Sequence, residues 1–423
     1  MSREKAMDFL RKYGMDAARI EPLTEARRMA AAMEEGLRGE AILPMIPTYL
    51  QADESVPTGK SAIVIDAGGT NFRCGLITFS DNGPVLSRVQ KKMMPGIEKP
   101  ASWDEFIRFV ADAVEPLTPY AEDIGFCFSY SADITPEIDG KVIRIDKEVV
   151  ITGSEGKLVG ASLIEELERR GIHGKHCVIL NDTAAVLLGG SATLDKSRCG
   201  GLIGQVSGTG TNTCCVLPLE RISKLGRPDK KRIIVNLESG MYDGLPRGEF
   251  DLTLDRQSNN PGSKLLEKLT AGVYLGQLSR LILRAAADER LISRQSWDAI
   301  CAFGSFNASL PDAWGTGERL ESFASDEDRA FIQTVARELF QRSARAMCTN
   351  LLAILLLTGD GIDPERPAVI CAEGSLVQKG RCYRPALEEL LESSTGELGR
   401  FARLQVGEET TLPGAAAAAL LNR

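Results

Sequence analysis

The chain has 423 residues, of which 43% are hydrophobic and 26% charged, a balance typical of a globular protein with enough chain for more than one domain. The formal net charge of -8 argues against a general basic surface for nucleic acid or anionic membranes. The apolar runs at 351–357 and 415–421 are too short to span a bilayer and are predicted to be buried helix.

The ten cysteines form no CxxC pair, and several lie in apolar, strand-like runs. These are Cys74, Cys127, Cys177, Cys214, Cys215 and Cys371. The pattern predicts reduced core thiols in a cytoplasmic protein. The first twenty residues lack the apolar segment of a secretory signal, which agrees with that expectation.

The N-terminal half begins with helices and continues with strands. Residues 1–50 are predicted to be helical, and 23–39 is the clearest amphipathic stretch. After a polar linker, strand-like runs follow at 62–67, 74–79 and 123–130.

In the middle of the chain, predicted helices alternate with predicted strands. Residues 158–171 are predicted to form a helix that ends at a glycine. A strand at 177–182 is followed at once by a helix at 183–192, and 201–219 is a strand, a turn and a second strand. Such alternation indicates α/β layers.

The remainder of the chain beyond residue 260 is predicted to be mainly helical. One buried strand at 367–373 precedes the final helices.

Two segments about 140 residues apart resemble each other: AIVIDAGGTNFRCGLI (62–77) and LIGQVSGTGTNTCCVL (202–217). Each is an apolar strand, a turn of Gly, Thr and Asn, and a second apolar strand that contains cysteine. The repetition suggests two related halves that face each other.

The two glycine-rich turns have the composition of a phosphate clamp, because glycine lets backbone N–H groups approach an anion and threonine adds a hydroxyl. There is no GxxxxGK[ST] motif, so a P-loop is excluded, and plain hairpin turns are the alternative. Asp66 ends the strand before the first turn. It either helps to hold hydrated Mg²⁺ beside phosphate oxygens or caps the turn.

Polar residues also follow a second apolar strand, where Asn181 and Asp182 are placed at its end and a helix starts at once. Ligands of open α/β sheets gather at such strand ends. The competing interpretation is that Asp182 or Thr183 is only the helix N-cap.

Two glutamates are further candidates for ligand binding. Glu238 directly follows the apolar run IIVNL, and a buried carboxylate there needs hydrogen-bond donors such as sugar hydroxyls. Glu267 lies in NPGSKLLEKL, and by itself it is more typical of a solvated helix face.

Taken together, these motifs resemble those of the eukaryotic-type hexokinase/glucokinase family, within the actin/Hsp70/sugar-kinase superfamily, over nearly the whole chain. They occur in the family's order: IDAGGTNFR (65–73), FSYS (128–131), IDK (145–147), ILNDT (179–183), SGTGTN (207–212), VNLESG (235–240), the helix at 259–283 and AEGSL (372–376). The ordered set is much more specific than any one motif.

The resemblance implies a two-lobed α/β fold of the actin/ribonuclease-H-like ATPase type, with mixed sheets flanked by helices and an active-site cleft between the lobes. It implies a small lobe at 61–180 and a large lobe made of helices in 1–60 together with 181–412. Residues 413–423 would form a helix that returns to the small lobe.

It also implies ATP and Mg²⁺ as cofactors and transfer of the γ-phosphate to the 6-hydroxyl of a hexose, with glucose as the expected substrate. Asp182 would be the general base. The sugar-binding residues would be Ser129, Lys147, Asn181, Asp182, Asn212, Glu238 and Glu267. The ATP-binding residues would be Asp66 (through water to Mg²⁺), Gly68, Gly69, Thr70, Asn71, Arg73, Gly208, Thr209, Gly210, Gly374 and Ser375.

The sequence departs from the family pattern on the sugar side. Ser131 stands where the family usually has proline, and Ser239 where it has an aromatic residue. Asp146-Lys147-Glu148 replaces Thr-Lys-Gly.

Two other functional classes remain as alternatives. These departures allow a sugar-sensing regulatory protein with little or no catalysis. An actin- or Hsp70-like ATPase would explain the two phosphate turns but not the sugar set. A monomer or homodimer is expected, with no nucleic-acid or membrane partner.

Overall fold

The computed structural model of the protein describes residues 2–145, 149–226, 229–304 and 306–422. The strands are β1 (Ile46–Pro47), β2 (Ser61–Gly68), β3 (Asn71–Ser80), β4 (Gly83–Met93), β5 (Ala101–Ser102), β6 (Asp123–Phe128), β7 (Ser131–Ile134), β8 (Gly140–Arg144), β9 (Ile151–Thr152), β10 (His176–Leu180), β11 (Gly201–Ser207), β12 (Thr211–Pro218), β13 (Arg232–Asn236), β14 (Ala368–Glu373) and β15 (Ala402–Val406).

The helices are α1 (Ser2–Lys12), α2 (Pro22–Arg38), α3 (Trp103–Val114), α4 (Val159–Arg169), α5 (Asp182–Ser191), α6 (Glu249–Gln257), α7 (Leu265–Thr270), α8 (Gly272–Asp288), α9 (Arg294–Ala302), α10 (Ser309–Thr316), α11 (Asp326–Thr358), α12 (Ser375–Lys379), α13 (Tyr383–Leu398) and α14 (Thr411–Leu421). Among the described residues, no helix combines the length and apolar character required to cross a membrane.

The two main sheets share the same arrangement of five strands, and the large sheet has β1 in addition. The small sheet has the order β10-β6-β2-β3-β4, and the large sheet has the order β15-β14-β11-β12-β13-β1. In each, an antiparallel three-strand meander (β2-β3-β4 or β11-β12-β13) has two parallel strands added beside its first strand. The internal repeat predicted from the two glycine-rich turns is therefore present in the fold.

Two helices separate the sheets. Helix α14 packs on β2 and β6 of the small sheet and on α5, and α5 packs on β11 and β14 of the large sheet. The alanines of the 415–421 run are buried in this layer, together with Val64, Leu180, Leu202 and Val369 from the two sheets. The small, apolar residues let two helices fit between two sheets.

The largest core lies on the other face of the large sheet. Helix α11 contacts α1, α2 and α13 there, and its apolar run 351–357 is buried as predicted except for the half-buried Leu356. The N-terminal helices therefore pack with the large sheet. A separate core fills the space between the small sheet and helices α3 and α4.

The sequence analysis missed the strands β1, β4, β5, β7, β8, β9 and β15. Apart from β4, these strands have only two to five residues. Strand β4 is the edge of the small sheet and is mostly exposed, so it lacks an apolar run or a clear alternation. Strand β15, at the edge of the large sheet, has only five residues, and none of them is fully buried.

Candidate active site

The first glycine-rich turn joins β2 and β3 as a tight hairpin. Gly68 pairs with Asn71, so only Gly69 and Thr70 form the loop, and Gly69 has a positive φ of 62°. The hydroxyl of Tyr130 donates a hydrogen bond of 3.0 Å to the carbonyl of Gly69. The position of this turn is thus fixed from the neighbouring strand as well as by the hairpin.

Asp66 does not cap the turn, because it lies within β2 directly opposite Arg73 on β3. Nε and Nη2 of Arg73 donate to Oδ2 of Asp66 at 3.0 and 2.7 Å. Burial raises the pKa of Asp66, Arg73 opposes this shift, and the negative charge of Asp182 adds to it. The two carboxylates of Asp66 and Asp182 are therefore close enough to interact.

The second glycine-rich turn joins β11 and β12. Ser207 pairs with Thr211, and Gly208, Thr209 and Gly210 form the loop. The segment before α12 packs on it, since a Cβ atom on Gly374 would lie 2.4 Å from the carbonyl oxygen of Ser207. This contact brings the predicted adenosine segment, Gly374 and Ser375, beside the second phosphate turn.

Asp182 occupies the first turn of α5. The N-cap is Asn181, whose Oδ1 accepts from the backbone N–H of Ala184 at 3.0 Å, so the alternative that Asp182 or Thr183 is the cap is wrong. The Asp182 carboxylate accepts a 3.2 Å hydrogen bond from the hydroxyl of Thr183 and is partly exposed. It is thus available for chemistry rather than committed to capping.

A cluster of amides and carboxylates lies at the ends of β12 and β13. Nδ2 of Asn212 donates to Oδ1 of Asn236 at 2.8 Å and to Oε1 of Glu238 at 3.2 Å. Nδ2 of Asn236 donates to the same Oε1 at 2.7 Å. We call Asn212, Asn236 and Glu238 the amide triangle.

Glu267 belongs to the same region and is not a solvated helix face. Its side chain is only 16% exposed, and Oε2 accepts from the backbone N–H of Thr211 at 3.0 Å. A Cβ atom on Gly210 would lie 2.9 Å from that oxygen. Glu267 is therefore held beside the second phosphate turn, next to the residue that precedes Asn212.

Glu238 itself has an unusual conformation and environment. Its φ of 54° lies in the left-handed region, which costs energy for a residue with a side chain. Burial raises the pKa of Glu238, the amide of Asn236 opposes this shift, and the charges of Asp182 and Glu267 add to it. Strain and perturbed ionisation at one residue are features of a functional site.

Of the two remaining predicted sugar-binding residues, the structure describes Ser129 but not Lys147. Ser129 follows β6 beside the first phosphate turn, where a Cβ atom on Gly68 would lie 3.2 Å from its Oγ. Lys147, with Asp146 and Glu148, lies outside the described residues.

The departure at Ser239 falls inside the site. Its backbone N–H donates to Oδ1 of Asn212 at 3.2 Å, whereas its buried hydroxyl has no hydrogen-bond partner among the described residues.

The sequence analysis missed two residues that hold the site together, Tyr130 and Asn236. Asn236 is a polar residue at the end of an apolar strand, the same signal that identified Asp66 and Asn181, and it could have been found in that way. The contact of Tyr130 with Gly69 depends on the pairing of β2 with β6, and no local pattern indicates it.

No three His, Cys, Asp or Glu side chains in the described part of the chain are grouped so as to hold a metal ion directly. The pair Asp66 and Asp182 still favours a cation. Burial raises the pKa of Asp66 and the negative charge of Asp182 adds to this shift, while Arg73 donates hydrogen bonds to only one of the two Asp66 oxygens. The donor set fits a hydrated Mg²⁺ carried by a nucleotide rather than a protein cage.

Comparisons with known proteins agree with this arrangement. Hexokinase family models match residues 5–192 and 202–421. A glucokinase of Aspergillus niger is 29% identical, over 99% of this chain and 97% of its own length. Hexokinase-1 of Oryza sativa subsp. japonica is also 29% identical, over 90% of this chain and 84% of its own length.

The fold agrees as well. The structure of a hexokinase from Schistosoma mansoni complexed with glucose superimposes with a TM-score of 0.74, at 21% identity, over 99% of this chain and 98% of that chain. The two-lobed sugar-kinase fold predicted from the sequence is thus confirmed. With family models that cover both halves, this chain belongs to the hexokinase family and is an ATP-dependent kinase that phosphorylates a hexose.

Proposed function

We propose that the chain transfers the γ-phosphoryl group of ATP to the 6-hydroxyl of glucose, or a closely related hexose, with Asp182 as the general base. The position of Asp182 carries this proposal. Burial raises the pKa of Asp66 beside the first phosphate turn and of Glu238 in the amide triangle, and the negative charge of Asp182 adds to both shifts. A base there would stand between the phosphate donor and the sugar.

In this reaction the Asp182 carboxylate accepts the proton of the 6-hydroxyl. The hydroxyl oxygen forms a bond to the γ-phosphorus while the bond from that phosphorus to the β–γ bridging oxygen breaks, and ADP leaves. The enzyme contributes mainly positioning and charge neutralisation. The backbone N–H groups of the two turns, with Thr70, Asn71, Arg73 and Thr209, would surround the phosphates.

The sugar hydroxyls would be held by the polar residues named above: Ser129, Lys147, Asn181, Asn212, Glu238 and Glu267. The structure refines what two of them can offer. Oδ1 of Asn181 already accepts the capping hydrogen bond of α5, so we expect Asn181 to offer its amide N–H groups to the sugar. Both amide contacts of the triangle reach Oε1 of Glu238, which leaves Oε2 as an acceptor for a hydroxyl.

Mg²⁺ would be held through water by Asp66. When bound, the ion neutralises phosphate charge. Arg73, bonded to Asp66, would keep this carboxylate oriented toward the turn.

The proposal also covers the boundaries of the two lobes, the cellular compartment and the oligomeric state. We assign residues 61–180 to the small lobe, residues 1–60 and 181–412 to the large lobe, and 413–423 to a helix that returns to the small lobe. The packing of α14 on β2 and β6 supports the last assignment. Ten free cysteines support a reducing compartment such as the cytoplasm. We expect a monomer or homodimer.

The experiment is a coupled ADP-release assay with Mg-ATP and a panel of hexoses, in which hexose 6-phosphate is measured separately. The D182A variant should lose roughly 10²- to 10⁴-fold in turnover, the usual contribution of a positioned base. Glucose binding, measured by calorimetry, should be affected much less. D326A is a matched control, because Asp326 also lies in the first turn of a helix but is exposed.

A D182A variant with near-normal turnover would disprove the assignment of the base. ADP release that does not depend on sugar would favour the ATPase alternative. Tight hexose binding without turnover in the unmodified protein would favour the regulatory alternative.

A further inference from the structure

Asn236 lies at the end of β13, where it is 5% exposed, and it touches two of the residues assigned to the sugar. Its Oδ1 accepts from Asn212 and its Nδ2 donates to Glu238, at 2.8 and 2.7 Å. A single side chain thus uses its acceptor on one neighbour and its donor on the other. The amide does this without a net charge, because it carries its acceptor and its donors on separate atoms.

Asn212 is held in place by this arrangement. Its Nδ2 reaches Asn236 and Glu238, and its Oδ1 accepts from the backbone N–H groups of Thr213 at 2.8 Å and Ser239 at 3.2 Å. The orientation of the Asn212 amide is therefore determined, since a flipped amide would point its N–H groups at two backbone donors.

Glu238 needs such support. Its left-handed backbone is strained, and like charges surround its carboxylate: Asp182 on α5 and Glu267 on α7, with Lys264 before α7 as the cation that opposes them. The two amides that meet at Oε1 fix that oxygen and favour the ionised form. The other oxygen, Oε2, is then directed by the same contact.

We propose that Asn236 is a positioning residue for the hexose, which orients Glu238 and Asn212 as a pair and keeps Glu238 an acceptor. It acts through these two residues and does not need to touch the sugar. The inference rests on the proposed function, because it concerns the affinity of the same sugar site.

The N236D variant tests this directly, because it replaces a donor with a carboxylate of the same shape. At pH 8 two carboxylates would face each other at the Oε1 contact, so the KM for glucose should rise roughly 10- to 100-fold. At pH 6 the pair can share a proton and the hydrogen bond can re-form. The KM of N236D should therefore fall at least about threefold between pH 8 and pH 6.

The unmodified protein should respond to pH in the opposite direction or not at all, since protonation of Glu238 removes an acceptor. The KM for ATP should be unchanged in N236D. The N82D variant is a matched control, because Asn82 is exposed in the turn between β3 and β4. A residue that only stabilised the fold would not reverse the pH dependence of the glucose KM.

N236A provides a second measurement in case N236D does not fold. It lacks the donor and adds no charge, so calorimetry should show glucose binding weakened roughly 10-fold at both pH values. Unchanged glucose affinity in N236A, or a raised KM of N236D that is the same at pH 6 and pH 8, would overturn the proposal. Absence of hexose phosphorylation by the unmodified protein would instead contradict the proposed function.

Discussion

Glu238 shows how one residue can be unfavourable for folding and still serve the site. Its backbone is left-handed, and burial raises the pKa of its carboxyl. A carboxyl with a raised pKa binds its proton more tightly in the folded chain than in the unfolded chain. Its ionisation therefore lowers the free energy of unfolding as pH rises from the unfolded value of the pKa through the folded one, and the penalty is complete above the folded pKa.

The E238Q variant should separate these two effects. The glutamine carbonyl can still accept from Asn212 and Asn236, while the buried charge is removed. We expect the thermal midpoint of the unliganded protein at pH 8 to equal or exceed that of the unmodified protein. We expect glucose affinity to fall roughly 10- to 100-fold, because a charged acceptor is lost.

Thermal unfolding and calorimetric titration with glucose measure the two quantities, and E220Q at an exposed position is the control. A large loss of stability in E238Q would mean that the charge supports the fold rather than the ligand.

At the scale of an element, Gly374 connects β14 to α12, and its backbone conformation matters for the site. Its φ is 120°, and a side chain there would meet Ser207 in the second phosphate turn. The residue thus lets two backbones approach closely and presents the N-terminus of α12 beside that turn.

The G374A variant should be destabilised by about 2 kcal/mol, from strain at a glycine-only conformation together with the clash. The KM for ATP should rise more than the KM for glucose, since the displaced segment lies at the second phosphate turn. Steady-state kinetics and thermal unfolding measure these changes.

G396A is the matched control for this substitution. Gly396 lies within α13, and a Cβ atom there would meet nothing within 4 Å. Alanine should stabilise that helix by about 0.5–1 kcal/mol. If G374A and G396A behaved alike, the close contact with Ser207 would not matter for the enzyme.

At the scale of the whole molecule, the order large sheet, α5, α14, small sheet decides how the two lobes are joined. The backbones of α5 and α14 lie in close contact. A Cβ atom on Gly414 would lie 1.8 Å from the carbonyl oxygen of Ala185, and one on Gly189 would lie 2.0 Å from that of Thr410. Asp182 starts one of these two helices, so their packing also positions the base.

The G414A variant should therefore lower stability and activity together. We expect a loss of about 3 kcal/mol or more, because backbone atoms on both sides cannot move aside cheaply. Turnover should fall as well, since α5 carries Asp182. Denaturant unfolding and the coupled assay measure the two effects, again with G396A as control.

A G414A variant with normal stability would show that α5 and α14 can separate without cost. One with reduced stability and normal turnover would show that the base does not depend on this packing.

Local patterns in the sequence determined seven strands of the two main sheets, several helices and the chemical types at the site. Apolar runs predicted β2, β3, β6, β10, β11, β12 and β14, and the polar residues at their ends identified Asp66, Asn181, Asp182 and Glu238. The similarity of the two glycine-rich turns predicted the repeated topology. These features depend on residues that are neighbours along the chain, so a pattern of a few residues is enough to predict them.

Only the tertiary structure decided which atoms meet. It showed that Asn181, and not Asp182, is the N-cap of α5. It also paired Asp66 with Arg73 and placed the hydroxyl of Tyr130 on the first phosphate turn. It also brought Asn236 between Asn212 and Glu238. These contacts join residues from different strands and helices. Their partners depend on sheet register and helix packing, which local sequence does not fix.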